Sequence, residues 1–277
     1  MGNYILLSPA KINLWLKVVG KREDGYHLIN SLVQKIALFD IIKITESEKQ
    51  RVTFLNSNIN PNHNTISEAV SKFLRTTGIK QKFYIKVKKN IPTEAGLGGG
   101  SSNAGVILSF LNCYFGNLLS FDEMIKLGCE VGADVPLFIS SEKKILMQGI
   151  GEILSYPKIY TPNYWVLLVK PPFSVSTEFA YKKLNFKLTN NFKSINKPHP
   201  KHSDFVNDLE EAVIESHEEI KAIKEKLYQF GSKKSLMTGS GSVVYGLFEN
   251  KNNALNAKSF YKNKFNSYKT FLTNFLA

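Results

Sequence analysis

The chain has 277 residues, of which 43% are hydrophobic, 12% aromatic and 21% charged, a composition typical of a folded globular protein and unlike a disordered, collagen-like or coiled-coil chain. With 36 Lys and Arg against 23 Asp and Glu, its formal net charge is +13, which favours anionic partners. The basic residues are scattered along the chain, so we attribute the excess to overall composition and predict no nucleic-acid partner.

Nothing in the sequence predicts secretion or membrane insertion. No apolar run approaches the about 18 residues of a membrane span, and Lys11 interrupts the apolar N-terminal stretch, which argues against a signal peptide. The two cysteines, Cys113 and Cys129, are far apart, so we expect buried free thiols and no disulfide. We therefore expect a cytoplasmic protein without a membrane partner, and we infer no protein partner.

The N-terminal 45 residues have the pattern of strands. Every second residue from Ile12 to Val18 is aliphatic, which is the period of a half-buried strand. Because residues two apart on a strand share a face, Lys11 and Asn13 are predicted to project together, away from the aliphatic face. A turn is predicted at residues 23–25, followed by a second strand that includes residues 41–44.

Capping signals and periodicity predict the elements that follow. They are a helix opened by Thr65 and Glu68 and ended by Gly78, a strand over 82–88, an apolar helix over 105–114, and a helix from Ser120 towards Cys129.

After about residue 157 we predict a strand over 165–169, a surface excursion over 185–202 and an amphipathic helix over 210–228. A Gly/Ser turn over 236–242 then leads into a strand over 243–248. This mixed order of strands and helices favours an α+β fold, with domains over 1–157 and 158–277.

A glycine-rich loop stands between a predicted strand and a predicted helix. Five of the 18 glycines fall between Gly96 and Gly105, and glycine permits left-handed backbone and close approach to a ligand. The following helix N-terminus offers N–H groups to an anion, so the pattern predicts a phosphate site. The loop lacks the lysine of a Walker A motif and the third glycine of the dinucleotide fingerprint. A flexible linker is disfavoured because an apolar helix follows.

The segment Pro-Thr-Glu-Ala-Gly-Leu-Gly-Gly-Gly-Ser-Ser-Asn-Ala, residues 92–104, resembles the phosphate-loop signature of the GHMP small-molecule kinases. Further motifs of the same family stand on both sides of this segment, at residues 8–14, 24–27, 132–136 and 238–241, in the family's order. Together they resemble the branch of this superfamily that phosphorylates a diphosphocytidyl sugar alcohol. One departure is Glu94, where a smaller uncharged residue is usual, and we expect its side chain to point to solvent.

The resemblance implies an α+β, two-domain GHMP kinase fold, with a ribosomal-protein-like N-terminal domain and a ferredoxin-like C-terminal domain. It implies ATP as co-substrate, accompanied by Mg²⁺, and a small-molecule substrate that carries cytidine diphosphate. The ATP-binding residues that it implies are Asn64, Pro92, Gly96, Leu97, Gly98, Gly99, Gly100, Ser101, Ser102 and Asn103.

Phosphoryl transfer to an alcohol requires that the phosphates be held, the developing charge stabilised and the hydroxyl proton accepted. The resemblance implies Lys11 for the charge and Asp134 for the proton. Because Asn13 shares a face with Lys11, it is predicted to bind the substrate near the reacting hydroxyl. It implies Ser102 as a protein contact of Mg²⁺, an ion that mostly uses water and substrate phosphates. From the residues alone, Lys11 could be a surface lysine and Asp134 a turn residue.

For the second substrate, the resemblance implies that Tyr26 and His27 bind the cytosine and that Thr177 and Tyr181 contribute from the second domain. Phe179 is the alternative to Tyr181 as a second aromatic wall, and His27 could instead cap the next segment.

Other interpretations remain open from the sequence alone. Asn64 could be a helix N-cap instead of an adenine contact. We interpret His199 and His202 as part of a solvated loop and not as metal ligands. An RNA-binding protein is the rival class, although RNA binding usually needs clustered cations with exposed aromatic side chains. A GHMP kinase acting on a mevalonate-type or homoserine-type substrate is the closer rival.

Overall fold

A computed structural model describes residues 2–184 and 199–277 of the chain. The strands are β1 (Asn3–Lys21), β2 (His27–Ser47), β3 (Arg51–Leu55), β4 (Lys82–Lys88), β5 (Lys144–Gly149), β6 (Ile153–Ser155), β7 (Trp165–Lys170), β8 (Lys234–Met237), β9 (Val244–Phe248) and β10 (Lys269–Asn274). The α-helices are α1 (Thr65–Thr77), α2 (Gly99–Tyr114), α3 (Phe121–Val131), α4 (Val135–Ile139), α5 (Thr177–Lys183), α6 (Leu209–Ile214), α7 (Glu219–Gln229) and α8 (Lys251–Lys264). The α+β prediction is confirmed, and most of the surface excursion predicted over 185–202 lies outside the described residues.

The chain forms two compact units whose segments alternate along the sequence, so β1 and β2 contribute residues to both units. The domain boundary predicted near residue 157 stays a prediction. The first unit comprises Met1–Ala10, Leu38–Thr93 and Gly98–Glu142, and the second comprises Lys11–Ala37, Glu94–Leu97 and Lys143–Ala277.

In the first unit, β4 pairs antiparallel with residues 41–47 of β2 and parallel with β3. Phe83, Ile85 and Val87 of β4 are buried, whereas the lysines at 82, 86 and 88 are exposed, as the strand period requires. The apolar face joins a core that includes residues of β2, β3 and helices α1, α2 and α3.

The helices of the first unit begin and end at recognisable signals, with two corrections to the predictions. Asn64, not Thr65, is the N-cap of α1, which ends at Gly78 with a φ of 72°. The capping box that opens α3 is confirmed. Helix α2 begins at Gly99, six residues before the predicted start, because the glycines of the loop already form its first turn.

Helices α2 and α4 approach closely at Gly105. A Cβ atom at this position would lie 2.7 Å from the Cβ of Phe138 and 2.9 Å from the carbonyl oxygen of Val135. Contacts this short require glycine, and they hold the N-terminus of α4, with Asp134 as its N-cap, against α2.

The second unit contains a four-stranded sheet in the order β10-β7-β9-β8, in which every pairing is antiparallel. In the same unit, β5 pairs with residues 29–34 of β2 and with β6. Its core combines Leu16 and Val18 of β1 with residues of β7, β9 and helices α5 to α8.

The helix predicted over 210–228 is wrong as a single element. The chain leaves the helix after α6 and starts again at α7, and between them the ring of His217 stacks on Phe173 at 4.3 Å. Tertiary packing therefore overrides the helical period in this segment.

The cysteines and one histidine also differ from expectation. Cys113 and Cys129 are free thiols, but Cys113 is exposed and Cys129 is half-buried. His202 is half-buried and its Nε2 lies 2.7 Å from the hydroxyl of Tyr164, so it is not part of a solvated loop. None of the helices in the described residues has the length and hydrophobicity of a membrane span.

Candidate active site

The glycine-rich loop turns repeatedly through left-handed backbone conformations. The φ angles are 50° at Glu94, 72° at Gly96 and 68° at Gly98, a region that glycine adopts without steric cost. Gly98 is the N-cap of α2 and makes no side-chain capping bond, and the first turn contains no acidic residue. The N–H groups at this helix end therefore point to a position that suits an anion.

Glycine is required at position 96 for a second reason. A Cβ atom there would collide with the carbonyl oxygen of Thr238, in the Gly/Ser turn that follows β8. The loop and this turn are therefore in direct backbone contact. Glu94, the departure from the family pattern, is exposed as expected.

A buried ion pair supports the segment that leads into the loop. Asp40 and Lys89 form this pair, and their exposed fractions are 0% and 8%. The other oxygen of Asp40 accepts hydrogen bonds from the backbone N–H groups of Asn90 (2.7 Å) and Ile91 (2.8 Å). A Cβ atom at Gly99 would lie 3.3 Å from the Nζ of Lys89. The carboxylate of Asp40 thus fixes the backbone of Asn90 and Ile91, which leads into the glycine-rich loop.

The sequence did not single out this ion pair. Asp40 directly precedes Ile41 and Ile42 of β2. A carboxylate beside residues of a buried strand needs a partner, and this signal could have indicated the ion pair.

The N-termini of α1 and α2 lie side by side. Thr65 Oγ1 donates a hydrogen bond to the carbonyl of Gly100 at 2.9 Å. Asn64 accepts from Ser67 N–H at 2.9 Å, and its amide donates to the carbonyls of Asn60 and Pro61. Asn64 is therefore the N-cap of α1, and an adenine contact at this residue stays a prediction.

Ser101, Ser102 and Asn103, which follow the glycines of the loop, differ in their exposure to solvent. The hydroxyl of Ser102 is buried and lies 2.7 Å from that of Ser8, while Ser101 and Pro92 are half-buried. Asn103 is buried within α2.

In the second unit, the β1 pair predicted to share a face does so. Lys11 and Asn13 are 4% and 3% exposed, and Lys11 Nζ donates to Asn13 Oδ1 at 2.9 Å. Asn13 Nδ2 donates to Ser31 Oγ at 2.8 Å, and Asn13 N–H donates to Thr238 Oγ1 at 3.1 Å. Thr238 in turn donates to Asn13 Oδ1 at 3.2 Å. The surface-lysine interpretation of Lys11 is therefore wrong.

Lys11 is also tied to the beginning of the loop. Its backbone N–H donates to the carbonyl of Leu97 at 3.0 Å. The second unit thus brings together a buried ammonium group, the residues Gly96 and Leu97, and the turn at Thr238. Sequence reasoning recognised that turn as a motif but assigned no role to Thr238.

The residues predicted to bind the second substrate lie in the same unit. The rings of His27 and Tyr181 stack with centroids 5.0 Å apart, and both Phe179 and Tyr181 pack against the core of the unit. Tyr26 is 61% exposed, and Thr177 Oγ1 lies 3.1 Å from Ser240 Oγ in the Gly/Ser turn.

The ionisation of His27 suits recognition of a neutral base. Burial, and secondarily the charge of Lys21, lowers the pKa of His27 below its ordinary value. The imidazole is therefore neutral at pH 7, with one donor and one acceptor nitrogen.

Asp134 belongs to the first unit, at the N-cap position of α4, where its carboxylate makes no capping hydrogen bond. In the described ranges, 2–184 and 199–277, no three His, Cys, Asp or Glu residues form a metal cluster. This donor set fits an Mg²⁺ ion held mainly by nucleotide phosphates, because Ser102, the predicted protein contact, is engaged with Ser8.

Two family models match the chain. Residues 64–142 match the model of the GHMP kinases N terminal domain, and residues 186–267 match that of the GHMP kinases C terminal domain.

Curated relatives cover nearly the whole chain. The 4-diphosphocytidyl-2-C-methyl-D-erythritol kinase of Thermodesulfovibrio yellowstonii is 40% identical over 91% of this chain and 92% of its own length. The enzyme of the same name from Lachnoclostridium phytofermentans is 40% identical over 98% of this chain and 96% of its own.

Among solved structures, a crystal structure of 4-(cytidine 5'-diphospho)-2C-methyl-D-erythritol kinase superposes with a TM-score of 0.80. The two chains are 26% identical, and the match covers 99% of this chain and 100% of that one.

These matches confirm the resemblance that the glycine-rich motif indicated, and they define the protein as a small-molecule kinase. The chain belongs to the GHMP kinases, and within them to the family of its 4-diphosphocytidyl-2-C-methyl-D-erythritol kinase relatives.

The buried ion pair of Asp40 and Lys89 should stabilise the folded protein. Replacing Asp40 with Asn leaves the ammonium group of Lys89 buried without its counter-charge, which typically costs about 3–5 kcal/mol. We expect a corresponding loss in the free energy of unfolding, measured by urea titration. Adding Lys89→Met to Asp40→Asn should recover part of the loss.

The control is the more exposed pair of Lys72 and Glu130, whose side chains are 19% and 59% exposed. Glu130→Gln should leave the unfolding curve nearly unchanged. Equal effects of Asp40→Asn and Glu130→Gln would contradict the structural role of the buried pair.

Proposed function

We propose that the protein catalyses ATP-dependent phosphorylation of a hydroxyl of 4-diphosphocytidyl-2-C-methyl-D-erythritol, a step of the non-mevalonate route to isoprenoid precursors. The observation that carries this function is the buried Lys11–Asn13–Thr238 network, which contacts the glycine-rich loop. A buried lysine is rare unless it is paired or functional. The names of the relatives supply the substrate.

In the proposed reaction the oxygen of the substrate hydroxyl attacks the γ-phosphorus of ATP, and the bond from that phosphorus to the bridging oxygen of ADP breaks. The backbone N–H groups from Gly96 to Ser102 hold the phosphates, and Lys11 stabilises the charge that develops on the transferred group. Asp134 accepts the hydroxyl proton. Asn13 orients the ammonium group of Lys11 through the 2.9 Å hydrogen bond to its Oδ1.

Magnesium belongs to this proposal as a companion of ATP. When bound, it would neutralise phosphate charge, held mainly through the nucleotide oxygens. Ser102 would contribute a ligand only after its hydroxyl leaves Ser8, which makes it a weaker candidate than the family pattern suggested.

We assign the cytidine end of the substrate to the stacked pair of His27 and Tyr181. Tyr26 and Thr177, which lie close to these two residues in the sequence, are assigned to the same end. An exposed Tyr26 ring can cover one face of a pyrimidine, while a neutral imidazole can pair with its polar edge. Adenine recognition near Asn64, a cytoplasmic location and the absence of nucleic-acid and protein partners stay predictions.

The test is an ATP-consumption assay on purified protein with a panel of alcohols. We expect turnover with 4-diphosphocytidyl-2-C-methyl-D-erythritol and none above background with mevalonate or homoserine. Turnover of only mevalonate or homoserine would overturn the substrate while retaining the kinase. No turnover of any alcohol by folded protein would overturn the function.

Asp134→Asn tests the proposed base. The amide keeps the size of the side chain but cannot take up the proton, so we expect kcat to fall by about 10²–10⁴-fold, with ATP affinity little changed. Steady-state kinetics and ATP titration measure the two quantities. As a control, Asp122→Asn alters an exposed aspartate on the neighbouring helix α3 and should retain kcat. An Asp134→Asn enzyme within a few-fold of the parent would remove Asp134 from the mechanism.

His27→Ala tests the cytidine site. Losing the partner of a buried polar edge typically costs about 1–3 kcal/mol, or about 5- to 150-fold in affinity. We therefore expect a higher KM for the diphosphocytidyl substrate and an unchanged KM for ATP. His199→Ala, at an exposed histidine, is the matched control. A shift confined to the KM for ATP would assign His27 to the nucleotide site instead.

A further inference from the structure

A buried asparagine, Asn207, forms hydrogen bonds to the turn that follows β8. None of the motifs found in the sequence includes this residue. Asn207 is 6% exposed. Its Nδ2 donates to the carbonyls of Met237 at 2.9 Å and Gly239 at 2.8 Å, and its Oδ1 accepts from the N–H of Leu209 at 3.1 Å. A single carboxamide therefore spans the two residues on either side of Thr238.

A buried carboxylate completes this attachment. Glu210, 7% exposed, accepts a hydrogen bond from the N–H of Met237 at 2.7 Å, and its other oxygen forms an ion pair with Lys224. Asn207 and Glu210 thus hold three backbone groups around Thr238: the N–H and carbonyl of Met237, at the end of β8, and the carbonyl of Gly239 in the turn. Buried charges and amides are costly to desolvate, and a buried ion pair is weak evidence for stability. A contribution to stability alone therefore does not explain why Asn207 and Glu210 are buried beside this turn.

The turn that they hold is the one that contacts Lys11 through Asn13. Thr238 hydrogen-bonds Asn13 both at its backbone N–H and at Oδ1, the atom that also accepts from Lys11 Nζ. A Cβ atom at Gly239 would lie 3.4 Å from the same Nζ. A displacement of the turn would therefore move the ammonium group.

We propose that Asn207 and Glu210 are positioning residues for phosphoryl transfer, which fix the turn at Thr238 and, through Asn13, the ammonium group of Lys11. This inference rests on the proposed function, in which Lys11 stabilises the transferred phosphoryl group. Neither residue is assigned a contact with ATP or the alcohol, so their effect is on turnover and not on substrate binding.

Asn207→Asp is the first test. The change keeps the size of the side chain but replaces the donating amide with a carboxylate oxygen that faces two carbonyls. Since misplacement of a catalytic group by about 1 Å can cost about 10²-fold, we expect kcat to fall by about 10- to 100-fold. The KM for ATP should change much less than kcat, because neither Asn207 nor the turn that it holds is assigned a contact with ATP.

Asn112→Asp is the matched control. Asn112 is also buried, at 9% exposed, and its carboxamide also bridges backbone, donating to Leu119 O and accepting from Leu119 N, both at 2.9 Å. It belongs to the last part of α2, in the other compact unit. Both variants should lower Tm, but only Asn207→Asp should lower kcat.

Glu210 provides a second pair of variants in case Asn207→Asp does not fold. Glu210→Gln retains an oxygen that can accept from Met237 N–H, whereas Glu210→Ala does not. Lys224 is 22% exposed, so water can solvate it in both. We expect Glu210→Ala to lose kcat and Glu210→Gln to recover most of it.

The outcomes separate the proposals. A purely structural role predicts that Asn207→Asp and Asn112→Asp lower Tm alike while kcat stays within about two-fold. It also predicts that Glu210→Ala and Glu210→Gln have equal kcat. Either result would overturn the positioning role. Lys11→Ala is measured alongside: if it retained kcat, the proposed mechanism itself would fail, whatever the result at Asn207.

Discussion

The hydrogen bonds of Asn13 join strand β1 to the turn that follows β8, two segments more than 200 residues apart in the sequence. The same carboxamide holds Lys11 and Ser31, and the hydroxyl of Tyr245 donates to the Asn13 carbonyl at 2.9 Å. Burial raises the pKa of Tyr245 well above its ordinary value, so this donor keeps its proton. A side chain fixed at so many atoms leaves the neighbouring ammonium group little freedom, which is the condition for electrostatic catalysis without reorganisation.

Two buried carboxylates, those of Asp40 and Glu210, accept hydrogen bonds from backbone N–H groups at or just after the end of a strand. Asp40 with Lys89 supports the approach to the glycine-rich loop, and Glu210 with Lys224 supports the turn at Thr238. In each case the carboxylate also accepts from backbone N–H groups. Asn90 and Ile91 follow the end of β4, and Met237 is the last residue of the edge strand β8. Their N–H groups bond to a carboxylate instead of a neighbouring strand, and a buried N–H without a partner is costly. The anionic side chains therefore substitute for regular secondary structure at these two places.

The sequence predicted most of what depends on local pattern. Strand alternation located Lys11 and Asn13 on one face, and glycine density indicated a loop that ends in a helix N-terminus, although α2 begins at Gly99. What it missed depends on contacts between distant segments. Asn207 stands just before α6, where an asparagine would ordinarily be a helix cap, and nothing local indicates that its amide reaches Met237 and Gly239. The break between α6 and α7 was missed for the same reason, since the helical period continues through it.

The alternation of the two compact units along the sequence affects how the protein can be made. Leu16 and Val18, synthesised early, pack into a core whose other members extend to Tyr261. During translation, the N-terminal strand therefore emerges long before the surface that covers it, and its apolar side chains stay exposed to water or to chaperones in that interval. The ammonium group of Lys11 likewise acquires its hydrogen-bonded position only after residue 238 has been added, so the network of Lys11, Asn13 and Thr238 cannot form on a shorter nascent chain.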